Sequence, residues 1–382
     1  MNCPINKDCG GCNYLNIDYK DEINIKINNF NRLLHKNNLN YKINNNDFIK
    51  SDNYYNYRYK VIGSVCNIDN KLRLGLYKEN SKIVLPFLDC LIQDLDCNYI
   101  LKEIEFILNK YKIKAYDNFN KRGIIKHVLI RKSTLNEFLI VLVTSSYLLP
   151  NNKLIVKDIL NINKNIKTIV QNINEKNTSL VLSDKEKILY GKGFIKERID
   201  DLIFNLSSNS FYQINPLMMN KLYNEAINLA NITKNDIVMD TYSGIGTISL
   251  KLSKYSKEVI AVEINKNAYI DSLNNKKNNN INNVKFFNDD VSKFMRTFKS
   301  KIDILFLDPP REGSDYNFLN SLMILKPKKV VYISCGPESL VRDLKILEKI
   351  YKIDKIKLVD MFPRTKHVET VCLLSRMKIN EQ

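Results

Sequence analysis

The stretch "DIVMDTYSGIGTISLKLSKYSKEVIAVEIN", residues 236–265, decides the fold class. It begins with an apolar run, passes through a turn with two glycines and a helix-like segment, and ends in a second apolar run. A strand, a glycine turn, a helix and a second strand in this order are typical of a parallel sheet. Further strand-like runs follow at "VKFFNDD", "IDILFLDPP", "VVYISC" and "KIKLVDMFP". We therefore predict a doubly wound α/β domain over residues 206–382.

The sequence before this domain has a different pattern. Residues 1–115 contain six of the eight cysteines, helical apolar spacing in "YKDEINIKINNFNRLLHK" and alternating, strand-like segments further on. Residues 116–205 are rich in β-type runs such as "FLIVLVTSS". We therefore predict a cysteine-rich region over 1–115 and a β-rich central domain over 116–205.

The chain is strongly basic. Its 382 residues include 59 Lys and Arg against 41 Asp and Glu, a formal charge of +18. Such a charge favours a polyanionic partner, nucleic acid above all, although a coding bias towards Lys, Asn and Ile would also produce it. No apolar signal region or membrane-length apolar stretch is found, so we expect a cytoplasmic protein without a membrane partner.

The glycine turn predicts a nucleotide-type cofactor site. Gly244 and Gly246 allow close approach of the backbone to a ligand, and the next strand ends in Glu263, whose carboxylate can accept both hydroxyls of a ribose. Nicotinamide dehydrogenases and S-adenosylmethionine methyltransferases share this arrangement. The third glycine of the dinucleotide fingerprint is absent, which makes a pyrophosphate cradle the weaker alternative.

Two later segments extend this site. In "LDPPR", residues 307–311, two prolines fix a rigid turn after Asp308, which should lie at the carboxyl edge of the sheet where α/β sheets bind ligands. Asp290, in "NDD", follows a third strand and is either an adenine-contacting acid or the N-cap of the next helix. Arg311 after the prolines argues against stacking on a base with an exocyclic amine.

A cysteine ends the following strand. Cys335, in "SCGPES", should lie at the same sheet edge as Asp308, and a helix N-terminus after it can stabilise a thiolate. A buried, inert thiol is the alternative, and a metal role is disfavoured because no second Cys or His is near in sequence. The last polar cluster holds His367 and Glu369, either of which can be a base or an ordinary polar residue.

The motifs, taken in order, resemble a known family. They are "FYQINP", "DTYSGIGT", "AVEIN", "LDPPREG", "SCGPESLVRDL" and "DMFPRTKHVET". This series is similar to that of the RNA uracil-C5 methyltransferases, which include bacterial 23S ribosomal RNA and tRNA 5-methyluridine enzymes. The resemblance covers nearly the whole chain and implies a Rossmann-like class I methyltransferase domain.

The resemblance also implies roles for individual residues. Cys335 corresponds to the nucleophile and Glu369 to the base. The residues around S-adenosylmethionine would be Gln213, Tyr242, Thr247, Glu263, Asp290 and Asp308. The sequence departs from the family at Gly336, where Asn is more common, so a contact from that side chain is in doubt.

The amino-terminal cysteines predict a metal centre. "CPINKDCGGC" places Cys3, Cys9 and Cys12 close in sequence, and Cys90 is the best fourth ligand. Four thiols suit an iron–sulfur cluster or a structural zinc ion. The spacing resembles the 4Fe–4S site of the ribosomal RNA branch, so we expect a 4Fe–4S cluster. Cys97 is the competing fourth ligand.

We therefore expect a monomeric enzyme that uses S-adenosylmethionine to methylate C5 of a uridine in 23S rRNA through an adduct with Cys335. A tRNA uridine methyltransferase is the enzyme alternative, and the four-cysteine set disfavours it. A non-catalytic RNA-binding or assembly factor is the other alternative, and the intact Cys335, Asp308 and Glu369 argue against it. A dehydrogenase is the most distant candidate.

Overall fold

The computed structural model describes residues 2–176 and 180–377. The last five residues of the predicted 206–382 domain, and residues 177–179 of the central one, lie outside this part of the chain. Two compact units are present. The first contains residues 1–16, 53–198 and 205–216, and the second contains residues 17–52, 199–204 and 217–382.

The described residues form helices and strands in the following positions. The helices are α1 (Asn6–Cys9), α2 (Tyr19–Lys36), α3 (Leu95–Lys110), α4 (Asn152–Ile162), α5 (Pro216–Ala230), α6 (Thr247–Leu252), α7 (Lys266–Asn278), α8 (Val291–Thr297), α9 (Tyr316–Leu325) and α10 (Pro337–Leu347). The strands of the first half are β1 (Phe48–Ile49), β2 (Lys60–Ile68), β3 (Lys71–Tyr77), β4 (Val84–Leu85), β5 (Ile125–Lys132), β6 (Phe138–Thr144), β7 (Ile166–Ile173) and β8 (Glu186–Tyr190). The later strands are β9 (Phe194–Ile199), β10 (Leu202–Ser207), β11 (Ile237–Thr241), β12 (Glu258–Glu263), β13 (Val284–Asn288), β14 (Ile304–Leu307), β15 (Lys329–Ser334), β16 (Tyr351–Val359) and β17 (Glu369–Arg376).

The first unit is built on a seven-stranded sheet in the order β4-β3-β2-β5-β6-β7-β8. Its interior strand β6, "FLIVLVT", is buried along its whole length, as expected for a strand covered on both faces. Helices α3 and α4 pack on one another, and apolar residues of α3 share a core with this sheet. The sheet therefore joins strands from both of the segments that the sequence separated at residue 115.

The second unit contains an eight-stranded sheet in the order β1-β16-β17-β15-β14-β11-β12-β13. Strands β13, β12, β11, β14 and β15 are parallel, whereas β17 runs antiparallel to both β15 and β16. Strand β14, "ILFL", is fully buried, which explains why it reads as an uninterrupted apolar run. The predicted α/β fold is confirmed.

The structure groups the chain differently from the three consecutive segments that the sequence suggested. Strand β2 pairs with β5 across the predicted boundary at residues 115 and 116, with Lys60 opposite Arg131. Helix α2 lies in the second unit within residues 17–52, although the next part of that unit begins only at residue 199. Its apolar residues, such as Phe30 and Leu34, belong to the same core as β14 and β15. Long-range pairing of this kind has no local sequence signal.

A buried ionic network ties α2 to the loop after β16. The ammonium of Lys26 lies 2.8 Å from Glu22 Oε1 and 2.7 Å from Asp360 Oδ1, and all three side chains are almost completely buried. The Tyr19 hydroxyl donates to Asp360 Oδ2 at 2.7 Å, and the backbone N–H of Arg364 donates to Glu22 Oε1 at 2.8 Å. The helix therefore fixes the loop that leads into β17.

Replacing Lys26 tests this network. We expect Lys26→Met to lower the free energy of unfolding by about 3–5 kcal/mol, because Glu22 and Asp360 lose their buried counter-charge. The measurement is denaturant unfolding at neutral pH. Lys20→Met is the matched control, since Lys20 is exposed on the same helix. Equal stability of the two variants would contradict a structural role for the network.

Candidate active site

Strand ends bring the predicted polar residues to one edge of the second unit's sheet. Asp240 lies in β11, while Asp308 and Cys335 directly follow β14 and β15. These strands are parallel neighbours, with Asp240 opposite Phe306 and Leu307 opposite Tyr332. Because parallel strands end at the same edge, the side chains that follow them gather there.

The antiparallel strand β17 brings Glu369 to the same edge. Ser334 pairs with Thr370, and the Thr370 hydroxyl donates to the Ser334 carbonyl at 3.0 Å. Continuing this antiparallel register by one residue places Cys335 beside Glu369. Glu369 also pairs with Val359 on the other side. A residue 34 positions later in sequence thus becomes a lateral neighbour of the thiol.

The site is buried and carries several negative charges. Burial and then the Asp308 carboxylate raise the pKa of Glu369 to about 8. Burial and then Asp240 raise the pKa of Asp308 to about 7. Burial, followed by Glu369 and Asp308, raises the pKa of the Cys335 thiol to about 11, and Arg311 opposes this effect. A positive charge entering this site would lower all three pKa values.

Asp308 and Glu369 have no hydrogen-bond or ion-pair partner among residues 2–176 and 180–377. Their interactions with each other are electrostatic, and the buried phenol of Tyr223 faces the same carboxylates. Buried carboxylates are costly unless a partner satisfies them. The site is therefore suited to a ligand that brings a positive charge or hydrogen-bond donors.

The glycine turn after β11 fits a nucleoside. The Glu263 carboxylate accepts hydrogen bonds from the backbone N–H groups of Gly244 and Asn265, both at 2.7 Å, which hold it at the turn. At Gly244, which has φ of 54°, a Cβ atom would meet no other atom within 4 Å, so the turn borders open space. At Gly246, with φ of 87°, a Cβ atom would lie 2.8 Å from the Phe286 ring.

This geometry fits S-adenosylmethionine. Each Glu263 oxygen keeps a second lone pair that can accept a ribose hydroxyl. Asp308 supplies an acidic group without a hydrogen-bond partner among the described residues, and the positive charges of the methionine part would favour its ionised form. Thr247 is the first residue of α6 and is buried beside the turn. The centroid of the Tyr242 ring lies 5.6 Å from that of the Phe318 ring. The backbone of Tyr242, within the turn, has a positive φ of 103°.

Two of the predicted cofactor residues have other surroundings. Asp290 is the N-cap of α8, and its carboxylate accepts the Lys293 N–H at 2.9 Å. The N-cap alternative is therefore realised, and Asp289 next to it accepts the N–H of Asp290 at 2.8 Å. Gln213 lies before α5 in the first unit, whereas the other predicted cofactor residues belong to the second.

Close packing explains why residue 336 is a glycine. A Cβ atom there would lie 2.5 Å from the Arg311 carbonyl oxygen and 2.6 Å from Ser339 Oγ. The Ser339 hydroxyl also donates to the carbonyls of Arg311 and Gly336. The turn after Cys335 therefore packs directly against the turn after Asp308, and the family's more common Asn would push them apart in this arrangement.

The amino-terminal cysteines interact with one another in the first unit. Burial, followed by electrostatic interactions with the thiols of Cys90, Cys9 and Cys3, raises the pKa of the Cys12 thiol to about 12. Within the described residues, however, no three His, Cys, Asp or Glu side chains stand in metal-ligand geometry. The predicted ligands Cys3, Cys9, Cys12 and Cys90 thus influence one another electrostatically but do not form a preformed metal site among the described residues. Cys97, the competing ligand, is buried in the apolar core.

Sequence reasoning missed two residues of the carboxylate cluster. Asp240 lies in the buried β11, where its carboxylate accepts a hydrogen bond from the Ser249 hydroxyl at 2.5 Å. Its position before the glycine turn was a usable signal. Tyr223, on α5, had no such signal, because only packing of the helix places it beside the strand ends.

In the described residues no helix is both long and apolar enough to span a bilayer.

Comparisons with known proteins identify the family of the chain. The family model described as "tRNA (Uracil-5-)-methyltransferase" matches residues 154–377, which is more than half of the chain. An uncharacterised RNA methyltransferase of Oceanobacillus iheyensis is 35% identical over 96% of this chain and 81% of its own length. One from Bacillus cereus is 34% identical over 98% and 83%, respectively.

A solved structure of an RNA uracil-C5 methyltransferase also matches this chain. The tRNA (uracil-54, C5)-methyltransferase of Pyrococcus abyssi, in complex with S-adenosyl-L-homocysteine, matches with a TM-score of 0.80 and 25% identity, over 98% of this chain and 86% of that one. The chain therefore belongs to the tRNA (uracil-5-)-methyltransferase family and is an S-adenosylmethionine-dependent RNA uracil-C5 methyltransferase.

Proposed function

We propose that this enzyme methylates a uridine of 23S rRNA through a covalent bond between Cys335 Sγ and uracil C6, with Glu369 as the base. The observation that carries the catalytic part is the register of β15 and β17, in which Ser334 pairs with Thr370. That register makes the thiol and the carboxylate neighbours at a sheet edge that also holds Asp308.

The chemistry explains why a thiol and a carboxylate are needed together. Uracil C5 is a weak nucleophile, and addition of the Cys335 thiolate to C6 gives C5 the character of an enolate carbon. S-adenosylmethionine supplies the electrophilic methyl group that C5 accepts. Glu369 then takes the proton from C5, the C5–C6 double bond re-forms and the bond between Cys335 and C6 breaks.

The electrostatics of the site control when the thiol reacts. Burial, followed by the Glu369 and Asp308 carboxylates, disfavours the thiolate and raises the pKa of Cys335 to about 11. Arg311 acts in the opposite direction, and a cation held at Asp308 would do the same. We propose that Asp308, Glu263, Tyr242 and Thr247 of the second unit hold the cofactor, with Asp308 facing its positive charge. For Gln213 and Asp290 the same role stays a prediction from the family resemblance. The thiol would then become reactive only in the loaded enzyme.

The substrate proposal rests on the four cysteines. Their spacing resembles the ribosomal RNA branch of the family, which supports 23S rRNA as the substrate. A tRNA uridine is the second candidate, and the similarity to the Pyrococcus abyssi tRNA enzyme supports it. Cys335, Asp308 and Glu369 all come from one unit of one chain, which supports a monomeric enzyme. We propose that it acts on RNA in the cytoplasm.

We further propose that Cys3, Cys9, Cys12 and Cys90 hold a 4Fe–4S cluster. Thiolates are the usual ligands of such clusters, and the Cys12 thiol interacts electrostatically with the other three. Gly10, with φ of 63°, ends α1 and allows the chain to wrap between Cys9 and Cys12. A zinc ion is the competing occupant, because four thiolates also bind zinc.

Labelled methyl transfer tests the activity and the substrate. With labelled S-adenosylmethionine and unmodified 23S rRNA, we expect label at C5 of one or more uridines. Because the nucleophile is lost, Cys335→Ala should reduce transfer by at least about 10³-fold. Cys66→Ala, which changes a half-buried thiol on β2, is the control. Label on tRNA alone would exclude 23S rRNA, and an active Cys335→Ala protein would exclude the covalent route.

Replacing the base tests the role of Glu369. We expect Glu369→Gln to lower kcat by about 10²- to 10⁴-fold and to accumulate an RNA–protein adduct, because the proton at C5 is no longer removed. Denaturing gel electrophoresis detects the adduct, and the double variant with Cys335→Ala should lack it. Glu312→Gln, an exposed acid near the site, is the control. Normal turnover of Glu369→Gln would show that another group is the base.

Metal analysis tests the cluster. Anaerobically purified protein should be brown and contain about four irons per chain, with Cys90→Ala losing most of the iron. Cys97→Ala should keep its iron, because Cys97 lies in the apolar core. Colourless protein with about one zinc per chain would replace the cluster by a zinc site.

A further inference from the structure

A basic cavity adjoins the candidate active site inside the second unit. It has a volume of about 440 Å³, and α2 forms one of its walls. The remaining wall comes from the loops that carry the catalytic groups: Arg311 follows Asp308, Pro337 and Glu338 follow Cys335, and residues 366–368 precede Glu369. The cavity is therefore built from the same three turns as the site.

The charges around this cavity are unbalanced. Its basic side chains are Lys26, Arg32, Lys36, Arg311, Lys366 and His367, whereas Glu338 is its acidic one. Glu22 and Asp360 neutralise Lys26. Arg32 and Lys36 are exposed and have no acidic partner in residues 2–176 and 180–377. They are four residues apart on α2, so they lie on the same face of the helix.

Arg311 connects the cavity to the thiol. It lines the cavity, and its positive charge lowers the pKa of Cys335. Its guanidinium Nη2 lies 3.5 Å from His367 Nδ1, and His367 is two residues before Glu369. A ligand in the cavity would therefore contact the turns that directly follow Asp308 and Cys335 and the loop that precedes Glu369.

The chemistry of the cavity selects an anionic, nucleotide-sized group. Its volume is within the range of pockets for small ligands, and Phe30, Leu33 and Val368 give it an apolar side. Guanidinium and ammonium groups bind phosphate oxygens by charge-assisted hydrogen bonds. An RNA methyltransferase must also hold the chain on either side of a base that leaves its stack.

We propose that this cavity binds the RNA backbone next to the target uridine, with Arg32 and Lys36 as phosphate contacts and Arg311 between the phosphate and the reacting base. The orientation of the RNA, with the target uridine at Cys335, rests on the proposed function. Binding of RNA in the cavity does not depend on it. It assigns a substrate-contacting role to α2, which also holds the loop before Glu369.

Salt-dependent RNA binding tests the proposal. The probe is fluorescein-labelled oligouridylate, and its anisotropy is measured with the full-length protein over a series of salt concentrations. Each of Arg32→Ala and Lys36→Ala should weaken binding by about 3- to 10-fold at 0.1 M salt and reduce the slope of log K against log salt by about one. Lys20→Ala is the matched control, an exposed cation of α2 outside the cavity.

Kinetics give the second readout. With RNA that the enzyme methylates, Arg32→Ala and Lys36→Ala should raise KM for RNA more than they lower kcat, while binding of S-adenosylmethionine and the thermal midpoint stay at the wild-type values. Unchanged affinity and salt slope in both variants would overturn the proposal even if the wild type is active. Wild-type affinity for uridine monophosphate equal to that for oligouridylate would overturn it in favour of a free nucleotide.

The outcomes separate this inference from the proposed function. If the wild type transfers no methyl group to either RNA but the variants lose salt-dependent binding, the proposed function fails and the cavity stands as an RNA site. If Cys335→Ala abolishes transfer but Arg32→Ala and Lys36→Ala behave like Lys20→Ala, the proposed function stands and the cavity does not bind RNA.

Discussion

The pairing of β17 with β15 is the contact on which the site depends. Parallel strands alone would gather Asp240, Asp308 and Cys335 at one edge, because each lies at or directly after a strand that ends there. The antiparallel strand begins at that edge, so Glu369, its first residue, meets the thiol that follows its neighbour. One register position in either direction would send the Glu369 side chain to the other face of the sheet.

The pairing of β17 with β15 also places the Glu369 carboxylate next to the Cys335 thiol, which disfavours the thiolate. Two features of the fold reduce this effect. Burial raises the pKa of Asp308 to about 7 and that of Glu369 to about 8, which reduces the negative charge around Cys335 at neutral pH. Arg311 supplies positive charge from the turn that packs against Gly336. The buried pairs that Lys26 makes with Glu22 and Asp360 then keep the loop before β17 in place. The site is thus held by helix α2 as well as by the sheet.

Much of the site could be predicted from local sequence. The apolar runs identified β11, β12, β14 and β15, and each candidate acid or thiol was found at or just after a strand end. Glu369 was different, because spacing gave it no advantage over His367 and only the family resemblance selected it. For Asp290 the sequence pattern was compatible with two roles, an adenine contact and a helix N-cap. In the structure Asp290 is the N-cap of α8. The role of α2 was not predicted, because its contacts lie more than three hundred residues away in sequence.

The sequence by itself determined the α/β class, the glycine turn, the thiol at a strand end and the set of four amino-terminal cysteines. These features are local, since apolar periodicity and turn residues act over a few neighbouring positions. Only the tertiary structure decided that β2 and β5 share a sheet across the predicted boundary and that α2 belongs to the later unit. It also decided that Glu369 lies beside Cys335 and that Arg32 and Lys36 face the same cavity as Arg311. These are long-range pairings, and register and packing, not local propensity, set them.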